Sequence, residues 1–377
     1  MADAVSKKEV RKHLKAIAKE NAKIIKAYEK EKKRKNVPPS EYQTQMRDPN
    51  NIIEIDNLQT HFFTDMGVVK SVNGVTIDIP AGKTVALVGE SGCGKSVTSL
   101  SLMKLVQGPT GQIVGGQIRY NRSSGPIDIV KTPISEMQHI RGNEISMIFQ
   151  EPMTSLNPIF KIGMQLDETI ALHNPQMSKE EVKARSIEML KLVGIARAEG
   201  IYNCYPHELS GGMRQRVVIA MSLSCNPKMI IADEPTTALD VTIQAQVLDL
   251  LRDLKDKIDA SILLITHDLG VVAEMADYVV VMYAGRVVEQ GNVHEVFLNP
   301  SHPYTKGLLK SKPVVNKKVD KLYSIPGQVP NPINMPSHCA FKDRCEECIA
   351  ACSGDVPSLT ALTPTHGVAC WCYKEGR

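Results

Sequence analysis

An α/β fold is predicted for this chain: an antiparallel β edge leading into an α/β core, with a helical subdomain inserted and a small cysteine-rich C-terminal extension. Three observations carry the expectation. The apolar, β-branched run TVALV at 84–88 reads as a buried strand and runs straight into the glycine-rich stretch GESGCGKS at 89–96. Further strand-sized apolar runs follow at ISMIF (145–149), IIAD (230–233), SILLI (261–265) and YVVVMYAG (278–285), each too short for a membrane span. Between the first two of these the texture is helical, at IGMQLDETIALH (162–173) and SKEEVKARSIEMLKLVG (178–194).

Each element can be justified in turn. Residues 1–50 hold 14 Lys and Arg against 7 Asp and Glu, a surplus of +7 in a chain of net charge +4, so the remainder sums to −3. No Gly or Pro interrupts Lys7 to Lys35, and Val10, Leu14, Ile17, Ala18, Ile25 and Tyr28 recur near helical spacing. The stripe is thin and Ala-rich, which favours a solvated, partly frayed extension over a helix lying on anionic lipid or on a partner subunit. Lysines without interleaved aromatics argue against nucleic acid as a partner. Asn36 to Asn50, with Pro38 and Pro39, reads as a linker.

From Asn51 the chain turns β-rich, with IIEI (52–55) and VVKSVNGVTIDI (68–79) ahead of the strand at 84–88. In the helical insertion Ser178 and Glu181 form a capping box at one end of a helix that Gly194 closes. The boundaries that follow are 1–50 for the basic extension, 51–300 for the core with its helical subdomain at about 155–215, and 301–377 for the tail. No apolar run approaches the roughly 20 residues that cross a bilayer, and no secretory signal opens the chain. Nine cysteines in such a chain are expected to be reduced, as metal ligands or inert thiols in the cytoplasm.

GESGCGKS has the form G-x-x-x-x-G-K-[ST], with Gly89, Gly94, Lys95 and Ser96 in the required places. Glycines let such a loop fold so that backbone N–H groups point at phosphates, while the helix expected from Lys95 adds its positive end. The cradle would comprise Gly89, Glu90, Ser91, Gly92, Cys93, Gly94, Lys95, Ser96 and Val97, with Lys95 on the β- and γ-phosphates and the Ser96 hydroxyl on Mg²⁺. IIADEP at 230–235 ends a strand in two acids: Asp233 to hold the metal through its water shell, and Glu234 to polarise water as a general base. Acidic pairs commonly serve solubility at strand ends; the order and spacing with GESGCGKS decide for chemistry here. His267, after SILLI, falls at another strand end of the same edge, where it can contact the γ-phosphate and hold Glu234 and the water. Phe62, beside Phe63, either stacks on adenine or packs under the sheet.

LSGGMRQR at 209–216 adds a second anion site, because Ser210, Gly211 and Gly212 open a helix. The ordered set GESGCGKS, Gln150, LSGGM, IIADEP, ALD at 238–240 and His267 resembles the ABC-type ATPase cassette over residues 51–300. That resemblance implies ATP sandwiched between the phosphate loop of one cassette and the LSGG segment of another. It implies Gln150 as a sensor of γ-phosphate and Mg²⁺ and Asp240 at the dimer seam. QEPMTSLNP (150–158), YPHELSGGMRQR (205–216), HPYTKGLL (302–309) and IPGQVPNP (325–332) are similar to the ATP-binding subunits of oligopeptide and dipeptide importers, a group with nickel-importing relatives. The implied partners are a second ATPase subunit, a distinct homologue rather than a second copy; two integral membrane permeases; and, indirectly, an extracytoplasmic peptide-binding protein. The implied place is the cytoplasmic face of the membrane. A soluble non-transport ATPase would carry a coiled coil, a zinc insertion or two cassettes, and this sequence has none of them. A redox protein with regulatory ATP would leave the importer-like stretches unexplained.

Six of the nine cysteines fall in the last 39 residues. Four thiolates are what a [4Fe–4S] cluster needs. The pattern C-x5-C-x6-C with a distant fourth, and the places of Pro357 and His366, are similar to the importer ATPases, which implies Cys339, Cys345, Cys352 and Cys370 as ligands. Zinc is the rival, through the Cys345–Cys348 pair with Cys370 and Cys372. Free thiols packing as apolar groups are the third possibility.

Overall fold

The computed structural model describes residues 7–150, 155–237, 240–311, 323–333, 335 and 337–374. Its strands are β1 (Asn51–Thr64), β2 (Gly67–Pro80), β3 (Thr84–Val88), β4 (Gly111–Tyr120), β5 (Ile127–Asp128) and β6 (Ile145–Ile148). Then come β7 (Met229–Asp233), β8 (Ser261–Ile265), β9 (Tyr278–Tyr283), β10 (Arg286–Asn292), β11 (Thr360–Ala361) and β12 (Gly367–Val368). One sheet is antiparallel in the order β2-β1-β4-β5, and the other runs β11-β12-β10-β9-β3-β8-β7-β6. From β9 to β6 the second sheet is parallel, with Leu87 opposite Ile265 and Asp233 opposite Ile265 on the far side.

Parallel strands covered on both faces read as unbroken apolar runs, and β3, β7 and β8 are buried along their whole length. Alternation along a strand then assigns each residue a face. Ile231 and Leu263 join Val85 and Ile53 in one core, beneath the antiparallel sheet. Ile230 and Ile262 join Leu166, Val217 and Leu248 in another, among helices. Because β6, β3, β7 and β8 are parallel, the segments that follow them all emerge at one sheet edge. Residues 89–96, Gln150, Glu234 and His267 are brought together by that fact alone.

The helical insertion contains helices Ile162–His173, Lys179–Leu192 and Ala198–Tyr202, followed by Gly211–Leu223. Ser178 accepts from the Glu181 N–H at 3.3 Å while Glu181 accepts from the Ser178 N–H at 2.7 Å, and Gly194 turns left-handed at φ +73°. Residues 151–154 of the stretch 150–158, and Ala238 and Leu239 of the ALD stretch, lie outside the described residues.

The N-terminal segment corrects the expectation of a frayed extension. Helix α1 (Lys7–Lys32) docks on β1 and β2, with Asn21 buried and its Nδ2 donating to the Thr64 carbonyl at 2.7 Å. Gln112 donates to Glu29 at 2.8 Å, so polar bonds as well as the thin apolar stripe hold the helix down. The tail also differs from a separate cysteine-rich extension. Its β12 pairs antiparallel with β10, Glu289 opposite Val368, and β11 pairs with β12. Without them β10 would expose an unpaired edge, which proteins cover. The fully buried Glu289 carboxylate accepts from the Ser301 and His302 N–H groups at 2.7 and 2.9 Å and meets His366 Nε2 at 2.8 Å, so tail and core share one polar junction.

Candidate functional site

The loop after β3 is shaped by its glycines. Gly89, Gly92 and Gly94 have φ of +150°, +78° and +105°, the left-handed side that L side chains avoid. Space excludes a side chain as well, since a Cβ at Gly89 would stand 2.2 Å from the Met282 carbonyl oxygen and one at Gly94 would stand 2.3 Å from that of Ser71. Lys95 opens the helix Lys95–Leu102, is 6% exposed, and donates to the carbonyls of Gly89 at 2.7 Å and Glu90 at 3.1 Å. Its ammonium is thus held against the loop's own backbone. Ser91 and Gly92 are exposed at the tip; Cys93 is buried, which pushes its thiol up; Val97 packs on the core below.

At the end of β7 the Ser96 hydroxyl donates to Asp233 Oδ1 at 3.2 Å. Burial raises the Asp233 carboxyl, opposed by the bond from Ser96. A buried carboxylate beside a hydroxyl at the helix start is a donor set that suits a hard divalent cation. Glu234 adopts φ +47°, a conformation that strains a non-glycine residue, and its N–H donates to the Ile265 carbonyl at 2.8 Å. That turn aims its carboxylate off the strand axis. Three side chains meet it there: Gln150 Nε2 donates to Oε2 at 3.1 Å, Thr237 Oγ1 donates to the same oxygen at 2.8 Å, and His267 Nδ1 stands 3.3 Å from Oε1. His267 is largely exposed, Glu234 mostly covered.

Ser210, Gly211 and Gly212 sit at the start of the helix Gly211–Leu223, where Ser210 Oγ accepts from the Met213 N–H. Asp240 caps the helix Val241–Ile258 by accepting from the Ile243 N–H at 2.9 Å, and a Cβ on Gly212 would lie 3.0 Å from the Ile243 side chain. These two helix starts are therefore neighbours. Among the described residues no hydrogen bond joins Ser210, Gly211, Gly212 or Asp240 to residues 89–96. Phe62 is half-buried in β1 opposite Val69 and Gly111, where a Cβ on Gly111 would fall 2.8 Å from its ring; Phe63 is buried.

Three residues at this edge were missed from sequence. Thr237 follows Glu234 by one turn, a signal that was available. Tyr304 and Arg344 reach Glu90 from the C-terminal region: the Glu90 N–H donates to Tyr304 Oη at 2.8 Å, and Arg344 forms an ion pair with its carboxylate at 2.8 Å. Nothing local announces contacts across such separations.

The tail thiols lie near one another. Cys345 is pushed up to about 11 by burial and by the charges of Cys352, Cys339 and Cys348, and Cys370 to about 12 by burial and Cys372. Among the described residues no group of three or more His, Cys, Asp or Glu is arranged to hold a metal ion. The expected [4Fe–4S] cluster, or its zinc rival, is therefore not supported by this arrangement, in which Cys348 Sγ donates to the Ile349 carbonyl at 3.8 Å and Cys372 Sγ to that of Glu347 at 3.7 Å.

Residues 72–237 match the family model described as ABC transporter, and residues 288–352 match the oligopeptide/dipeptide transporter C-terminal region. The oligopeptide transport ATP-binding protein AppD of Bacillus subtilis is 53% identical over 324 residues, covering 86% of this chain and 97% of AppD. The dipeptide transport ATP-binding protein DppD of Lactococcus lactis is 48% identical over 320 residues, covering 85% of this chain and 90% of DppD. Among solved structures, the ATP-binding cassette MJ0796 in a dimeric post-hydrolysis state with ADP and Pi is similar at a TM-score of 0.57 and 25% identity, over 64% of this chain and 98% of that one.

Proposed function

The chain belongs to the ABC transporter family, as an ATP-binding subunit of the oligopeptide and dipeptide importers, and from that premise we propose how its residues divide the work. It binds and hydrolyses ATP to power peptide import. The loop from Gly89 to Val97 cradles the phosphates and Lys95 counters their charge. Ser96 and Asp233 would hold Mg²⁺, which would counter negative charge on the phosphates. Glu234 removes the proton of the attacking water, while Gln150, Thr237 and His267 fix its carboxylate and Phe62 offers a face to adenine. The observation that carries this reading is the convergence of Gln150, Thr237 and His267 on Glu234, in a strand-end turn beside the Ser96–Asp233 pair.

Ser210, Gly211, Gly212 and Asp240 serve the ATP of a partner cassette, a distinct homologue. What supports this is that these helix starts bond to nothing in their own chain's phosphate loop. As an importer subunit the chain works with membrane permeases. None of the described helices is long and apolar enough to cross a membrane, and we place the chain peripherally on the cytoplasmic face, beneath two permeases fed by an extracytoplasmic peptide-binding protein, with no nucleic acid partner. Phe149, Ile159 (72% exposed), Phe160 and Met164 (54%) are exposed apolar side chains in the segment after β6, suited to contact with a permease helix. A metal in the tail is the finest part of the reading, resting on the gathered thiols; about four iron and four sulfide per anaerobically purified chain would support a [4Fe–4S] cluster, one zinc the rival, and no metal would dismiss both.

The test is reconstitution. Full-length protein co-expressed with importer permeases should co-purify with them and a second ATPase, and support ATP-dependent peptide uptake into vesicles. Isolation with nucleic acid and without permeases would overturn the reading.

A further inference from the structure

We propose that Arg344 is a positioning residue for the ATP site, locking Glu90 of the phosphate loop into place from the C-terminal segment. The inference rests on residues 89–96 being the ATP cradle and adds a residue 254 positions away to its support.

The contact is built on both sides. Arg344 Nη1 donates to Glu90 Oε2 at 2.8 Å and Nη2 donates to Oε1 at 3.1 Å, a two-pronged pairing that only a guanidinium can make. The remaining donors are engaged too: Nε with the Pro326 carbonyl at 2.9 Å, Nη2 with that of Ile325 at 3.3 Å, and Nη1 with Tyr283 Oη at 3.3 Å. All five N–H groups are thus used on a side chain 5% exposed, whose guanidinium carbon also stands 5.8 Å from the rings of Tyr283 and Phe341. On the other side, the Glu90 N–H donates to the buried Tyr304 hydroxyl at 2.8 Å, and the Glu90 carbonyl accepts from Lys95 at 3.1 Å. One residue therefore links the phosphate-binding lysine to two C-terminal side chains.

This arrangement accounts for two stretches whose conservative-looking chemistry had no role above. HPYTKGLL supplies Tyr304, and IPGQVPNP supplies the carbonyls that hold Arg344. Gly327 within the latter has φ +79°, and a Cβ there would come within 3.1 Å of Arg344 Cγ, so glycine leaves room for the clamp. Electrostatics gives the clamp a second effect. Glu90 is a carboxylate within a loop that must receive a polyanion, and Arg344 neutralises it at contact distance. Losing Arg344 both frees the loop and uncovers that negative charge.

The test uses the full chain in its assembled transporter, measuring ATP KM and kcat together with thermal stability. Arg344→Ala should raise the KM for ATP by about tenfold with a smaller change in kcat. Arg344→Lys, which keeps the charge and loses the fork, should fall between. Combining Arg344→Ala with Glu90→Gln should give a KM no higher than Arg344→Ala alone, because both changes act through one contact. A purely structural role would lower the melting temperature and leave KM untouched, and a folded Arg344→Ala protein with wild-type KM would overturn the proposal. If that variant does not fold, Glu90→Gln and Glu90→Ala leave the C-terminal clamp residues intact, and an unchanged KM in both would overturn it equally. Lys95→Ala separates the premise from the inference: undiminished ATP binding in that variant would sink the ATP-site assignment itself.

Discussion

Glu234 shows how much one residue can depend on backbone geometry. Its left-handed turn carries strain of order 1–3 kcal/mol, retained because the Ile265 carbonyl and three side chains determine its place. Glu234→Gln keeps the shape and removes the base, so ATP binding should persist while turnover falls at least about 10²-fold; near-normal hydrolysis in the assembled transporter would refute the role. His302 offers a prediction of another kind. Its ring is buried, accepts from the Tyr304 N–H at 3.1 Å, and burial pulls its pKa from 6.5 down to about 3. The folded state therefore holds it neutral while the unfolded chain protonates it below 6.5, so its contribution is present above that pH and is lost as pH falls. Each pH unit below about 6 should remove up to about 1.4 kcal/mol on its account. His302→Asn keeps a capping acceptor without the titration, and its urea midpoint should fall less between pH 7 and pH 5 than the wild type's; identical slopes would show that other groups dominate. Glu234 was legible as a strand-end acid, and Thr237, one turn on, left a local signal. Arg344 left none, because its partner Glu90 is 254 positions away.

At the scale of elements, period and capping carried most of the reading. The helix Lys179–Leu192 begins at its capping box and stops before its left-handed glycine, both written in residues 178–194. Helix α1 went otherwise. Its weak stripe predicted fraying, yet Asn21 and Glu29 find partners on the sheet that a pattern of apolar residues cannot register. Asn21→Ala should leave the Thr64 carbonyl without that donor and cost about 1–3 kcal/mol of local stability, seen as faster amide exchange along α1. Unchanged protection there would mean the docking relies on other contacts. Strands β11 and β12 escaped the sequence because two-residue elements have no period to detect; they exist because β10 has an edge to cover.

For the whole molecule, the arrangement of two anion sites in one chain predicts a division between paired cassettes. Ser210→Arg should leave nucleotide binding by the isolated chain intact and impair hydrolysis in the assembled transporter, at the site whose phosphate loop belongs to the partner cassette. Loss of affinity in the isolated chain would contradict the composite site. The same scale explains why the C-terminal region is more than an appendage: Glu289, Tyr304 and Arg344 tie it to the core sheet and the phosphate loop.

By itself the sequence determined the chemistry and its carrier: which loop cradles phosphate, which acids end which strands, and that the core strands are buried. Those features depend on residues close together in the chain, where glycine spacing, capping and apolar period act directly. Only the tertiary structure decided that Gln150 and Thr237 join His267 on the Glu234 carboxylate, that the tail continues the core sheet, and that Arg344 pairs with Glu90 of the phosphate loop. Apart from Thr237, three residues from Glu234, the partners lie far apart in sequence. Contacts of that kind are settled by how elements pack and which buried polar groups must be satisfied, and the linear chain records neither.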